Sequence, residues 1–393
     1  MKNLFFLLLI LTLFSCSKEE KSGDRIIIID PRTFTEKEIL LSEIADDISY
    51  IPLISEFPIG IIYSYKLTSN YIYAAIKDIG VVRFTRDGKL DKRFGKIGRG
   101  PGEYVYCHSF AVDEDKGTVY VQDHKMDDIE VYAEDGTHIR NIKLPEGKDG
   151  FGFSDIKYFS SSLFIAQYNN MGRGEYDWII MDTTGNIMLE KQSSCTPFNG
   201  RVGSIGGLFK FNNYLGYWDN IKDTCFCIAP DFSSKPKCLF KLGDFHLPRN
   251  EQAYNPASEF IKNMHNYIIS ESLFETNKFF VYKYSFNNSD YITLINKKNL
   301  ESTVTEVDRN NTLGIKNDID DGLTFNPKSY STFNNSEYLT SLIQPFELKT
   351  HVASIAFKNS TPQFPKKKKE LEILANSLDE NDNPVLMLVK LKQ

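Results

Sequence analysis

The chain lacks the features that would hold it in a membrane, on nucleic acid, or in a familiar enzyme class. Its conspicuous apolar run, residues 4–14, is interrupted only by Thr12, and at about 1.5 Å per residue it falls well short of a hydrocarbon core about 30 Å thick. A multi-span helical membrane protein is excluded. Basic residues are in deficit, 46 Lys and Arg against 52 Asp and Glu for a net charge of −6. Nucleic acid is therefore not an expected partner, because phosphate binding needs a dominant basic footprint. There is no Gly-x-Ser-x-Gly elbow and no His-Glu-x-x-His pair, so neither a hydrolase nucleophile nor a zincin has support. Gly95, Gly98, Gly100 and Gly102 cluster, but Pro101 interrupts them and no helix follows; a phosphate loop needs that helix N-terminus.

Cysteine is scarce. Cys16 closes the N-terminal apolar run, leaving Cys107, Cys195, Cys225, Cys227 and Cys238, an odd number that cannot pair completely. Small buried thiols are the expectation. The alternative is a Cys227–Cys238 bridge, if a turn at residues 231–236 brings those two opposite each other. A zinc site would need a fourth ligand and more regular spacing.

What is abundant favours strands. The chain is 41% hydrophobic and 13% aromatic, with 29 Phe and 21 Tyr, and wide or branched side chains suit a pleated, half-buried surface. A short apolar strand recurs with centres at Ile72, Val119, Phe164, Leu215, Phe280 and Leu339. After five of the six comes a second strand, such as Val81-Val82-Arg83-Phe84 or Ile129-Glu130-Val131-Tyr132, ending in a turn such as Arg86-Asp87-Gly88 or Glu134-Asp135-Gly136. Asp-Gly after an alternating strand marks a hairpin, because Gly accepts positive φ. Six such units predict an all-β fold, a six-bladed β-propeller. The sixth unit lacks its second strand near Leu339. Residues 385–390 supply it, after a short amphipathic helix within residues 366–378 inserted in that blade. Residues 48–53 are then the outer strand of the same blade, so both termini close the ring and remove free edges. Residues 25–30 form another strand, of unassigned position.

The N-terminus gives an address. Residues 1–15 fit a signal peptide, and Leu13-Phe14-Ser15-Cys16 resembles the lipobox of bacterial lipoproteins, which implies that Cys16 is lipidated and becomes the mature N-terminus. Ser17-Lys18-Glu19-Glu20 is similar to export tags that send some Gram-negative lipoproteins to the outer leaflet. The expected organisation is a leader at 1–15, a lipidated Cys and tether at 16–37, and a propeller at 38–393. The expected location is the outer membrane, on its surface if the tag operates.

Blade two carries the most specific signal, Phe94-Gly95-Lys96-Ile97-Gly98-Arg99-Gly100-Pro101-Gly102-Glu103-Tyr104 followed by Phe110-Ala111-Val112-Asp113. It resembles the NHL-type repeat, and more closely the six-bladed β-propeller lipoproteins of gut-type Gram-negative bacteria. Asn317-Asp318-Ile319-Asp320-Asp321-Gly322 and Asp382-Asn383-Pro384 with its following strand are similar to that family too. The resemblance implies fold and export; for most members it implies no established reaction.

If the loops from outer to next inner strand and from second to third strand share one face, that face surrounds the channel mouth and is the default ligand site. It would gather Arg99, Glu103, Tyr104 and His108; Asp123 and His124; Arg173, Glu175, Tyr176 and Trp178; and Trp218 and Asp219. Arg beside Tyr and Trp suits flat polar ligands, through a rigid donor fork and stacking faces. For the Gly-Pro-Gly loop the favoured account is packing: its glycines permit a tight crossing while Arg99 and Glu103 pair with neighbouring backbone. Asp113-x-Asp115-x-Gly117 and Asp318-x-Asp320-x-Gly322 start like calcium loops but lack the closing Glu, so they read as acidic turns. The leading expectation is a lipid-anchored binding propeller for a glycan, peptide or envelope protein, attached to the membrane through its lipid, with no cofactor. One alternative is a metal-dependent lyase or hydrolase at the channel mouth, holding a divalent cation with acids from several blades. The other is a structural partner in an envelope complex, using blade edges or residues 245–266.

Overall fold

The computed structural model describes residues 25–145, 152–167, 175–193, 206–248, 257–308 and 312–393. Six sheets follow one another as blades, each with four antiparallel strands running in order from the inner strand outward. Blade one is Ile62–Leu67, Tyr71–Ile76, Gly80–Thr85 and Leu90–Phe94. Blade two is Phe110–Asp113, Thr118–Asp123, Asp128–Tyr132 and His138–Lys143. Blade three is Asp155–Phe159, Ser162–Ala166, Tyr176–Asp182 and Ile187–Gln192. Blade four is Gly206–Phe211, Tyr214–Asp219, Thr224–Ile228 and Ser234–Phe240. Blade five is Ile269–Glu275, Phe279–Phe286, Ser289–Asn296 and Ser302–Val307. Blade six is Ser329–Phe333, Ser336–Ile343, Val385–Leu391 and, from the other end of the chain, Ala45–Pro52.

This is the expected six-bladed ring, closed as the sequence predicts: the register runs from Val385 opposite Pro52 to Leu391 opposite Ala45. The recurring apolar strands are the second strands of their blades, and their followers are the third strands. These middle strands are sandwiched between neighbouring blades, which is why they read as nearly continuous apolar runs. Thr118–Asp123 and Asp128–Tyr132 are buried almost throughout, whereas the outer strand His138–Lys143 alternates and Ile187–Gln192 is wholly exposed. The cores lie between blades. Tyr73, Phe94, Tyr104, Phe110 and Tyr132 close blade one on blade two, and Phe159, Phe164, Trp178, Leu215 and Tyr217 close three on four. The hairpin turn at Gly88, φ +88°, lies against the carbonyl of Pro52, where a Cβ would collide.

The insertion in blade six is larger than one helix: Pro345–Ala353, Ile355–Asn359 and Pro365–Ser377 fill the connection between its second and third strands. Leu348, Val352, Leu371 and Ala375 bury their faces with Met387 and Val389. Gln344 and Glu347 form a capping box at the start of the first helix, satisfying donors that a helix end leaves free.

One expectation and one alternative are corrected. The described part of the segment assigned to the tether is part of the fold: Ile27–Ile29 adds in parallel to the outer strand of blade four, and Thr35–Glu36 to that of blade five. The physical reason is apolar burial, since Ile27 and Ile29 pack with Trp218, Cys238 and Phe240. Between the two strands, Asp30 receives two hydrogen bonds of 2.8 Å from the Arg32 side chain, and that guanidinium holds the Asp30 carboxyl below its usual range. The register across the last hairpin of blade four sets Cys225, not Cys227, opposite Cys238; Cys227 faces Lys235. A register shift after Cys225 moves the pairing by one residue. Cys107, Cys225, Cys227 and Cys238 are buried and unbridged in this structure; Cys16 and Cys195 lie outside the described residues.

Candidate functional site in the axial channel

The Gly-Pro-Gly crossing from blade one to blade two is a packing device. Tyr104 is fully buried; its hydroxyl donates to the Phe94 carbonyl at 2.8 Å and accepts from the Val81 N–H at 2.7 Å. Gly80 and Gly95 lie so close to that ring that a Cβ on either would collide with it. Glu103 accepts from the Gly100 N–H at 2.8 Å and pairs with Lys96 at 2.9 Å; these contacts hold its carboxyl below the usual range, the backbone donor first. Arg99 is exposed at the tip.

The other residues assigned to the channel mouth divide sharply. Asp123 accepts from the N–H groups of Val105 and Lys125 at 2.7 and 2.9 Å, stitching two loops together, whereas Asp219 accepts from Ile221 and Lys222, both at 2.9 Å, within its own turn. Trp178 and Trp218 are core residues, packed on Phe164 and Phe240. Glu175 and Tyr176 are half-buried, with the Tyr176 ring stacked on Phe153, and Arg173 lies outside the described residues. His108 and His124 do come together, ring centroids 3.6 Å apart, flanked by Tyr106. Burial pushes the His124 imidazole down to about 3, helped by His108, and lowers His108 as well. Both sequences that start like calcium loops are turns: Asp113 accepts from Asp115 N–H, and Asp320 from Gly322 N–H and Asn317 Nδ2. Asp318 takes the backbone and hydroxyl of Ser42, tying the blade-six crossing to the N-terminal segment. Among the described residues no three His, Cys, Asp or Glu side chains are arranged to hold a metal ion.

The feature that sequence reasoning missed is a set of lysines on the inner strands. Lys66, Lys157 and Lys210 occupy blades one, three and four, each between two apolar residues: Tyr65 and Leu67, Ile156 and Tyr158, Phe209 and Phe211. Blades one and four are opposite each other in the ring, yet Lys66 lies within electrostatic reach of both Lys210 and Lys157. Side chains on opposite blades meet that way only by pointing at the axis. The Lys66 side chain is half-buried, 36% accessible. Enclosure lowers its affinity for a proton; Glu114, at 2.9 Å, opposes this and the two lysines reinforce it. Lys157 pairs with Asp155 at 3.1 Å, whereas Lys210 has no carboxylate partner among the described residues. Towards blades five and six, Lys283 pairs with Glu271 at 3.1 Å, and beside it burial pushes Lys328 down to about 8. The signal in the sequence was an apolar-Lys-apolar triplet on three inner strands, at the same register from the hairpin for Lys66 and Lys157 and one residue nearer the turn for Lys210; read singly, each lysine looks like a solvated face.

A separate shallow groove of about 580 Å³ lies on the rim of blade four, lined by Ile28, Phe240, Leu242, His246 and Asp223 among others. His246 pairs with Asp223 across it at 3.2 Å.

No helix among the described residues is long and apolar enough to cross a membrane. The fold is similar to that of a Bacteroides fragilis protein described as exported, with 16% identity, 94% of this chain and 100% of that one covered, and a TM-score of 0.68. It is also similar to a DUF4221 family member from Bacteroides vulgatus, with 12% identity, coverage of 91% and 99%, and a TM-score of 0.54. At these identities the likeness is one of fold. No curated protein matches. The model of the domain of unknown function DUF4934 matches residues 26–390, from just before the first N-terminal strand to within the last strand of blade six, and the chain belongs to that family.

Proposed function

We propose that the chain is an exported propeller, anchored to the outer membrane through lipid on Cys16, that binds an anionic glycan, peptide or protein segment in its axial channel without transforming it. The observation that supports the reading is that Lys66, on the inner strand of blade one, lies within electrostatic reach of Lys157 and Lys210 on the inner strands of blades three and four. Three ammonium groups held together at a channel wall repel one another, and a carboxylate or sulfate between them relieves that repulsion. Water-excluding walls strengthen the attraction. Support for binding rather than catalysis comes from the mouth itself, where the acids Asp123 and Asp219 are occupied by backbone donors.

The test is thermal unfolding of the full chain against matched acidic and neutral oligosaccharides and peptides. A ligand that binds only the folded state raises the midpoint by mass action; the acidic member of each pair should raise it, and added salt should weaken the shift. Lys210→Glu, at the lysine without a carboxylate partner among the described residues, should abolish it. Equal shifts from neutral ligands, or an unaltered response in Lys210→Glu, would remove the axial site. Anchoring is tested separately by Cys16→Ser, which should release the protein from the membrane fraction.

A further inference from the structure

We infer that Cys225 and Cys238 are joined by a disulfide in the mature protein and that this bond fixes the seat of the N-terminal segment on blade four. The inference rests on the export reading above for its oxidising surroundings, and on blade four for its geometry. Cys225 and Cys238 are register partners on adjacent antiparallel strands. Residues so opposed stand about 4.5–5.5 Å apart at Cα, inside the roughly 4.4–6.8 Å window of a disulfide. Both are fully buried in one core cluster with Trp218 and Phe240, and the Cys225 thiol is in hydrogen-bonding contact with Cys238. The other described thiols are placed differently: Cys107 donates to the Ser109 carbonyl at 3.3 Å, and Cys227 faces Lys235.

Cys238 has a second neighbour. On the far side of its strand, Ile27 is its register partner in the added N-terminal strand. The outer strand of blade four is thus the platform on which the N-terminal segment rests, and a bridge to Cys225 ties that platform to the third strand of the blade. Tension on the N-terminus then has to shear Ile27–Ile29 from a strand that cannot itself peel away.

The bond forms by exchange with a small or protein disulfide. One cysteine thiolate attacks a donor sulfur and releases one donor thiol; the second cysteine thiolate attacks the mixed disulfide and releases the other. Two cysteine thiols are oxidised, the donor S–S bond is reduced to two thiols, and the two cysteine protons end on those donor thiols. Because neither sulfur is accessible in the closed ring, exchange takes place while the hairpin is pairing, before blade five covers it. Once closed, the same burial shields the bond from reductant.

The experiment uses the full chain from two sources: exported in a Gram-negative host, and unfolded, reduced and then refolded with oxidised glutathione. Free thiols are alkylated in denaturant without reductant, and peptides are mapped by mass spectrometry. The expected result from both sources is a linked pair of peptides carrying Cys225 and Cys238, with Cys107 alkylated. Reductant added during thermal unfolding should lower the midpoint by roughly 3–4 °C, a response absent in the Cys225→Ala, Cys238→Ala double variant. Separate alkylation of Cys225 and Cys238 after refolding with oxidised glutathione would overturn the pairing. A link found only in the refolded sample would uphold the pairing and count against export.

Discussion

At the junction of blades one and two, the Tyr104 hydroxyl bridges two buried backbone groups, the Phe94 carbonyl and the Val81 N–H, and no charge is involved. Where blade four meets blade five, the same task falls to a carboxylate. Glu275, only 1% exposed, pairs with Lys297 at 2.6 Å and Lys237 at 3.3 Å and accepts from the Tyr214 hydroxyl. Lys297 in turn lies over the Phe211 ring at 4.3 Å. The neutral stitch depends on shape, and glycines at 80 and 95 make room for it. The ionic stitch depends on completeness, because each partner has been taken out of water for the others. The same fold therefore has one seam that tolerates changes of charge and one that does not.

The comparison is broken most directly at the ionic seam. Glu275→Ala strands two enclosed ammonium groups, and breaking a buried pair by removing one partner costs about 3–5 kcal/mol; urea unfolding should show that loss, and a change below about 1 kcal/mol would mean that the lysines reach water. Tyr104→Phe keeps the ring and removes the bridge, leaving one buried donor and one buried acceptor unpaired. The expected cost is about 2–3 kcal/mol, read in the same way and insensitive to salt.

The smallest effect sharpens the contrast through pH. His124, near the neutral seam, is held at about 3 when folded against about 6.5 when unfolded. Above about 6.5 both states are neutral and nothing changes; between about 6.5 and 3 only the unfolded chain takes up the proton. Stability should therefore fall with acidification, by up to about 1.4 kcal/mol per pH unit for this group. His124→Phe should flatten that part of the profile, and an unchanged slope would assign it elsewhere.

The ring closure was legible because an apolar run and its missing partner announce themselves: residues 385–390 and 48–53 had no other blade to complete. The turn residues Gly88 and Gly136 were legible for the same local reason, their positive φ. The site was harder. Trp178 and Trp218 sit near strand ends beside polar loops, and aromatic content alone does not say whether such a residue faces the mouth or the neighbouring blade; Phe164 and Phe240 decide it. Asp123 and Asp219 occupy equivalent strand ends and make equivalent turn contacts, so their repetition reflected backbone chemistry. The axial lysines escaped notice because strand alternation marks a polar residue as solvent-facing without distinguishing outer solvent from the channel. Cys225 was missed as the partner of Cys238 because the turn is tighter than expected, setting Ile228 opposite Ser234, and the one-residue shift after Cys225 changes the pairing again.

The sheet that joins Ala45–Pro52 to Val385–Leu391 also orders the life of the chain in time. Five blades can assemble from neighbours in sequence, but the sixth waits for Val385–Leu391 to meet Ala45–Pro52, a strand translated long before it. Until then the ring is an open arc with two unpaired edges, the state in which strands recruit the wrong partners. If the chain crosses a membrane unfolded, that arc exists on the far side, and the ends must be kept apart from other chains until the final strand arrives. A chaperone on that side has its strongest claim on this protein during that interval, and loss of Val385–Leu391 should be felt first as misassembly of the ring.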